Sequence, residues 1–433
     1  MKIKRKGVVE KLLIIASICL VMILWTSKLY FSNLIAIMVM IINIYSLIKA
    51  RKNVFIFFLF LAFTYFDYSV IFSKYLFRIE NFNWIFQYIK YDDTLFIGIS
   101  LVYIFHALIL LLVNSRLYES KEDIFDISES EKLQNYGKIK MVIIILSIMV
   151  CIVLFDYLFF HKVFVKETIY EYLLIPIVII VYYSRNDKIF NKLALIIILI
   201  SAAINIYKGE RIASLSPLIA YFFINYYKRI NFKKIIYIVF IGVIAYTFFG
   251  LYGDILSHNG DTTKLRLVDL KEKVIDDKLT LDTAYSAYWT GLTYVEMSKR
   301  VDTKTRFNNF VKYMTAYTFI GEKSKYIQLS LLTRKYYLHW YGGYITSYFY
   351  FWLGLLGIPL ISVYITVLLN RFANIVRNSN NYIKILFVYF ISTVPRWYLY
   401  FPTSLIRGII LYTIIYYIIY IFISKETKKI NNK

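Results

Sequence analysis

Three groups of residues have the types and spacing to do chemistry. Lys208-Gly209-Glu210-Arg211 stands between two apolar runs separated by almost no loop, which puts Arg211 at the first turn of a helix. A helix N-terminus offers free N–H groups and a partial positive charge, and a guanidinium added there can pair phosphate oxygens two at a time. That combination suits a phosphate or diphosphate. The plain alternative is an arginine that anchors the helix end by snorkelling to the membrane surface. Arg396 and Arg407 bracket a second turn. Arg396 stands beside Trp397, Tyr398 and Tyr400, an aromatic belt in which it serves equally as an anchor. Arg407 lies several residues inside an otherwise apolar run, where a cation is costly and has a partner or a cavity. The third group runs from Arg334 through Tyr336 and Tyr337 to His339-Trp340-Tyr341. His339 can exchange a proton near neutral pH, and aromatic rings beside polar groups suit the apolar faces of sugars. A histidine of the interface belt is the structural alternative.

The elements that carry these residues follow from composition. Of 433 residues, 59% are apolar, and the mean hydropathy is +0.58. Soluble domains run at about 45–50% apolar, so an ordinary soluble enzyme and a disordered chain are both excluded. Helices that are apolar all round are stable in lipid, which leaves an all-α polytopic membrane protein. Twelve apolar runs are long enough to be read as spans: 9–27, 29–48, 54–73, 94–114, 140–160, 168–184, 190–207, 212–227, 234–252, 343–369, 381–399 and 402–423. The net charge of +24 resides mostly between these runs, which argues for membrane topology and anionic lipid and against nucleic acid. With both termini in the cytoplasm, the inner segments carry 27 lysines and arginines against 10 on the short outer ones. The first run keeps its place as a helix, because no small-residue cleavage site follows it. The organisation expected is therefore helices one to nine over 1–252 with a charged cytoplasmic linker at 116–138, a large external loop domain at 253–341, and helices ten to twelve with a cytoplasmic tail over 342–433.

Other polar residues are weaker signals. Asp67 and Asp156 are acids inside apolar runs, each expected to pair with an arginine or to face a cavity. Asp92-Asp93 lacks the D-x-D arrangement of metal-dependent lipid-sugar transferases. His106, His161 and His258 show no clustering, and their default is structural. Cys19 and Cys151 lie in apolar runs and make neither a disulfide framework nor a metal spacing. There is no Walker A, GxSxG, HExxH or dinucleotide-binding motif, so ATP hydrolysis is not expected within the chain.

The layout resembles that of the Wzy-type O-antigen and capsule polysaccharide polymerases, with many spans, one large late external loop and both ends inside. Lys208-Gly209-Glu210-Arg211-Ile212-Ala213-Ser214 is similar to that family's external G-x-R-type segment. His339-Trp340-Tyr341-Gly342-Gly343-Tyr344-Ile345, with Tyr348 to Trp352 and Leu353-Gly354-Leu355-Leu356-Gly357, is similar to its Gly-Gly and aromatic–G-x-x-G stretch. The resemblance implies a fold like that of multi-span glycosyltransferases. It implies joining of oligosaccharide repeat units carried on undecaprenyl diphosphate, at the outer face of a bacterial inner or plasma membrane. No cofactor and no metal are expected, and a chain-length regulator is among the partners it implies. In that reading Arg211, Arg396 and Arg407 grip the diphosphate. His339 or Glu210 orients or deprotonates the attacking hydroxyl, and Arg334, Trp340 and Tyr341 contact the glycan. Two other functions share these features: an O-antigen ligase or other lipid-sugar transferase, and a flippase for lipid-linked oligosaccharide.

Overall fold

In a computed structural model, the structure describes residues 2–76, 92–119, 136–160, 170, 172–207, 211–226, 237, 283–320, 328–337, 342–375 and 381–424. Among the described residues the chain is helical, with no strand. Eight helices are long and apolar enough to cross a membrane: Gly7–Thr26, Ser32–Ala50, Val54–Leu76, Asp92–Leu112, Gly137–Phe159, Lys188–Tyr207, Ile345–Phe372 and Pro402–Ile423. Leu174–Ser184 and Asn381–Ser392 are apolar but shorter. The run at 212–227 forms the helix Arg211–Tyr226, which contains Pro217. The run at 234–252 lies outside the described residues apart from Tyr237.

The described helices fall into two compact units. The first comprises residues 1–121, 277–373 and 395–403. It holds α1 (Lys2–Thr26), α2 (Ser32–Ala50), α3 (Val54–Val70) and α4 (Asp92–Leu112). The second comprises residues 122–276, 374–394 and 404–433. It holds α5 (Tyr136–Phe159), α6 (Leu174–Ser184), α7 (Lys188–Tyr207) and α8 (Arg211–Tyr226). The first unit continues with α9 (Thr283–Ser298), α10 (Thr303–Lys312), α11 (Leu329–Thr333), α12 (Ile345–Leu353) and α13 (Gly357–Ile375). The chain then adds α14 (Asn381–Ser392) to the second unit, α15 (Val394–Leu399) almost wholly to the first, and most of α16 (Pro402–Ser424) to the second.

Helix environment follows sequence. In α1, Val8, Val9, Leu12, Leu13, Leu20 and Ile23 are exposed, the pattern of a helix whose apolar side chains meet lipid. In α4 nearly every side chain from Thr94 to Leu110 is buried, Ser100 and His106 included. A polar side chain is tolerated at such depth where protein supplies its partner.

Within the segment 253–341, residues 283–298 form α9, where the sequence has a helical patch over Ala284 to Met297, and this helix is buried along nearly its whole length against α3, α4 and α12. Small residues permit that fit. A Cβ on Gly98 would lie 2.3 Å from the Leu292 side chain, and one on Gly291 would lie 2.6 Å from Ser347 Oγ. Close backbone approach at small residues is how helices associate where lipid removes the hydrophobic drive.

Two expected spans contain irregular turns. The run at 343–369 is interrupted by a 3-10 turn, Gly354–Leu356, entered at φ +61 by Gly354. Only glycine adopts that conformation freely. The run at 381–399 stops at Ser392 and resumes as α15 after a turn at Thr393, because Pro395 has no N–H to continue a helix.

Candidate functional site

The interior of the first unit contains one carboxylate facing one imidazole. Asp67, three residues from the end of α3, and His106, in the last third of α4, are 1% and 2% exposed. Asp67 Oδ2 lies 2.7 Å from His106 Nε2 and accepts a hydrogen bond from Asn43 Nδ2 of α2 at 2.9 Å. The other carboxylate oxygen accepts from the Tyr398 hydroxyl of α15 at 3.0 Å, and that hydroxyl stands 3.3 Å from His106 Nε2. Phe63 and Phe105 wall the imidazole, with ring centroids 5.2 and 5.3 Å away. Desolvation of the two groups is offset only by this close pairing and its hydrogen bonds. The second ring nitrogen, His106 Nδ1, is buried with no hydrogen-bond partner.

Irregular backbone converges on the same place. Directly after α3, residues Ile71–Leu76 form a π-helix. Gly342 and Gly343 adopt φ +103 and +147. A Cβ on Gly342 would stand 2.8 Å from the Leu399 carbonyl, and one on Gly343 would stand 2.3 Å from the Tyr294 ring. The Gly343 N–H donates to the Leu399 carbonyl at 2.8 Å, and the Gly342 carbonyl accepts from the Tyr294 hydroxyl. The next residue, Tyr344, donates from its hydroxyl to the Phe66 carbonyl at 3.0 Å. Its ring lies 5.0 Å from that of Tyr398. The Gly-Gly segment, the end of α15 and the Asp67 turn of α3 thus form one junction. Non-helical backbone at membrane depth is tolerated where protein buries it or where it lines a watery cavity.

A second polar group in this unit is an ion-pair cluster. Lys299 Nζ lies 2.7 Å from Asp93 Oδ2, 2.9 Å from Glu296 Oε2 and 2.7 Å from Thr94 Oγ1. Burial pulls the Lys299 ammonium down, but the hydrogen bonds and charges of Asp93 and Glu296 outweigh it and hold its pKa above the usual 10.5.

The residues singled out in the sequence are placed as follows. Arg211 is the first described residue of α8, while its side chain, Lys208 to Glu210, and His339, Trp340 and Tyr341 lie outside the described residues. Arg334 ends α11 and is exposed. Arg396 is half-buried on α15 of the first unit, and its carbonyl accepts from the Tyr400 and Phe401 N–H groups to close the turn. Arg407 is half-buried on α16 of the second unit, and its guanidinium stands 5.3 Å over the Tyr172 ring. That cation–π contact is a partner of the kind its position required. Neither acid takes an arginine among the partners described. Asp67 pairs with His106, and Asp156 accepts from the Tyr170 hydroxyl.

His106 is the functional candidate that sequence reasoning missed. It stands 39 positions from Asp67 on a different helix, and a lone histidine in an apolar run carries no local motif. Comparison with family models, with curated proteins and with solved structures gave no match.

Proposed function

We propose that the chain is a polysaccharide polymerase. It joins oligosaccharide repeat units carried on undecaprenyl diphosphate by metal-independent glycosyl transfer at the outer membrane face. One observation supports this above others. The Gly342-Gly343 stretch, on which the family resemblance rests, is bonded to the end of the short helix that bears Arg396. Two segments far apart in sequence, one rich in glycine and aromatics and one basic, are therefore neighbours.

In this reading the acceptor's sugar hydroxyl attacks the anomeric carbon of the donor. The bond from that carbon to the diphosphate oxygen breaks, and the lipid diphosphate leaves with the electron pair. Arginines at Arg211, Arg396 and Arg407 would stabilise the charge that develops on the leaving group. His339 or Glu210 would orient the hydroxyl or take its proton.

The buried Asp67–His106 pair favours a second reading, a transporter of lipid-linked oligosaccharide driven by protons, since ionisable pairs at membrane depth mark proton relays. A gel of surface glycan from a strain lacking the gene, beside its parent, separates the two. Loss of long polymer with single repeat units still reaching the outside supports the polymerase. Repeat units trapped on the cytoplasmic side support the transporter. Long lipid-linked polymer that is made but not passed on means a ligase.

A further inference from the structure

We propose that Asp67 and His106 form a proton-exchange site in the interior of the first unit, with His106 Nδ1 the atom that takes and gives the proton. The site requires only the geometry of the pair and does not rest on the glycan reading.

Buried side chains with hydrogen-bonding capacity are satisfied in the great majority of cases, and an exception calls for a cause. His106 is such an exception, 2% exposed with Nδ1 unpartnered. Its other nitrogen is held by Asp67, so the pair fixes the ring and leaves Nδ1 as the only ring nitrogen open to a proton donor. A histidine that served only to tie α4 to α3 would need one nitrogen, and a glutamine would do the same work. Charge accounting points the same way. Asp67 meets no lysine or arginine among the described residues; the polar groups described at the ring are Asp67 and Tyr398, and Asn43 bonds Asp67. Tyr344 lies one layer further out against Tyr398, and Tyr288 stands edge-on to Tyr344. With an ionised carboxylate and a neutral imidazole the cluster holds a net negative charge in an apolar surrounding. One added proton makes it neutral. A carboxylate held by three donors stands ready as the countercharge for a proton on the ring.

The surrounding backbone supplies the second observation. The π-helix begins four residues after Asp67, and Tyr344 of the non-helical Gly342–Tyr344 segment bonds the Phe66 carbonyl beside it. π-Turns recur at functional sites, and irregular backbone at this depth either is buried or lines water. The step is simple to balance: a hydronium ion gives its proton, one O–H bond breaks, one N–H bond forms at Nδ1, and the reverse releases it.

The test uses the full chain in lipid nanodiscs with 15N-labelled histidine. The chain has four histidines, so the variant H161Q/H258Q/H339Q leaves His106 as the sole reporter. Between about pH 5 and about pH 8, where histidine changes charge, the Nδ1 resonance should move between its protonated and unprotonated positions. The same titration after D67N should be displaced or lost. The assignment is overturned if Nδ1 stays in one state over that range, or if D67N leaves the titration unchanged. Should the triple variant not fold, the same spectra of the unmodified chain, with the signal lost in H106Q taken as His106, decide both points in the same way.

Discussion

Asp67 and Asp156 are both buried carboxylates in apolar helices, one in each compact unit, and they are treated differently. Asp67 faces an imidazole, which can become a cation; among the partners described, Asp156 accepts from the Tyr170 hydroxyl. Two further phenols of the second unit bond in the same way. The Tyr182 hydroxyl donates to Asn381 Oδ1 at 2.5 Å, and the Tyr412 hydroxyl donates to the Tyr382 carbonyl at 2.6 Å. Such bonds hold helices together without a change of charge. The first unit combines its ion pair with irregular backbone from Gly342 to Tyr344. The proposed proton exchange belongs to the first unit, and the phenol bonds described in the second serve packing.

The sharpest way to break that contrast is to remove each acid. Asp67→Leu leaves His106, Asn43 and Tyr398 without their acceptor, and loss of one partner of a buried pair costs about 3–5 kcal/mol. Asp156→Asn keeps an acceptor for Tyr170 and should cost about 1 kcal/mol. Thermal unfolding in detergent should rank the two in that order, and equal losses would erase the distinction between the units. Next in size is Gly343→Ala. Its Cβ would meet the Tyr294 ring at φ +147, for a cost of about 1–3 kcal/mol by strain and overpacking in the same assay.

Tyr398→Phe is of similar size and more selective. It deletes one hydroxyl bonded to a carboxylate and should lower stability by about 1.5–3 kcal/mol if the bond is to an ionised Asp67. A loss well under 1 kcal/mol would mean that Tyr398 is packing alone. The smallest effect is expected at the half-exposed Lys299. Lys299→Met should cost at most about 1 kcal/mol, because exposed pairs are screened. The sign of its pH dependence is fixed. The lysine is held above 10.5 in the folded protein, so its contribution is complete below the ordinary lysine range and fades as pH rises past it. Unfolding curves taken at neutral and alkaline pH, with and without Lys299→Met, measure that difference.

The membrane-spanning character is legible in the sequence because it is a sum over long windows, and lipid allows little else. Breaks within spans are harder to read. Pro395 and Gly354 interrupt runs whose hydropathy is continuous, and hydropathy does not register a missing N–H or a positive φ. The helix α9 is legible as a helical patch over Ala284 to Met297, but its burial is hidden for the opposite reason. Thr283, Ser286, Thr290, Thr293 and Glu296 lower its apparent apolarity, yet it is buried because Gly98 and Gly291 let neighbouring helices close on it. The Gly342-Gly343 pair stands out in the sequence by resemblance alone, and its physical reason lies in the space taken by Tyr294 and Leu399. Asp67 reads in the sequence as an acid that pairs with an arginine or faces a cavity, and the partner found is His106. Pairing across α3 and α4 depends on register between helices, which a single sequence does not encode locally.

The most direct test of the proposed activity is reconstitution. The purified chain would be placed in liposomes with undecaprenyl-diphosphate-linked repeat units isolated from a strain that lacks it, and the lipid-linked glycan followed by gel over time. A polymerase makes a ladder of increasing length with release of undecaprenyl diphosphate. Repeat units that stay single, whether or not they cross the bilayer, would contradict the account.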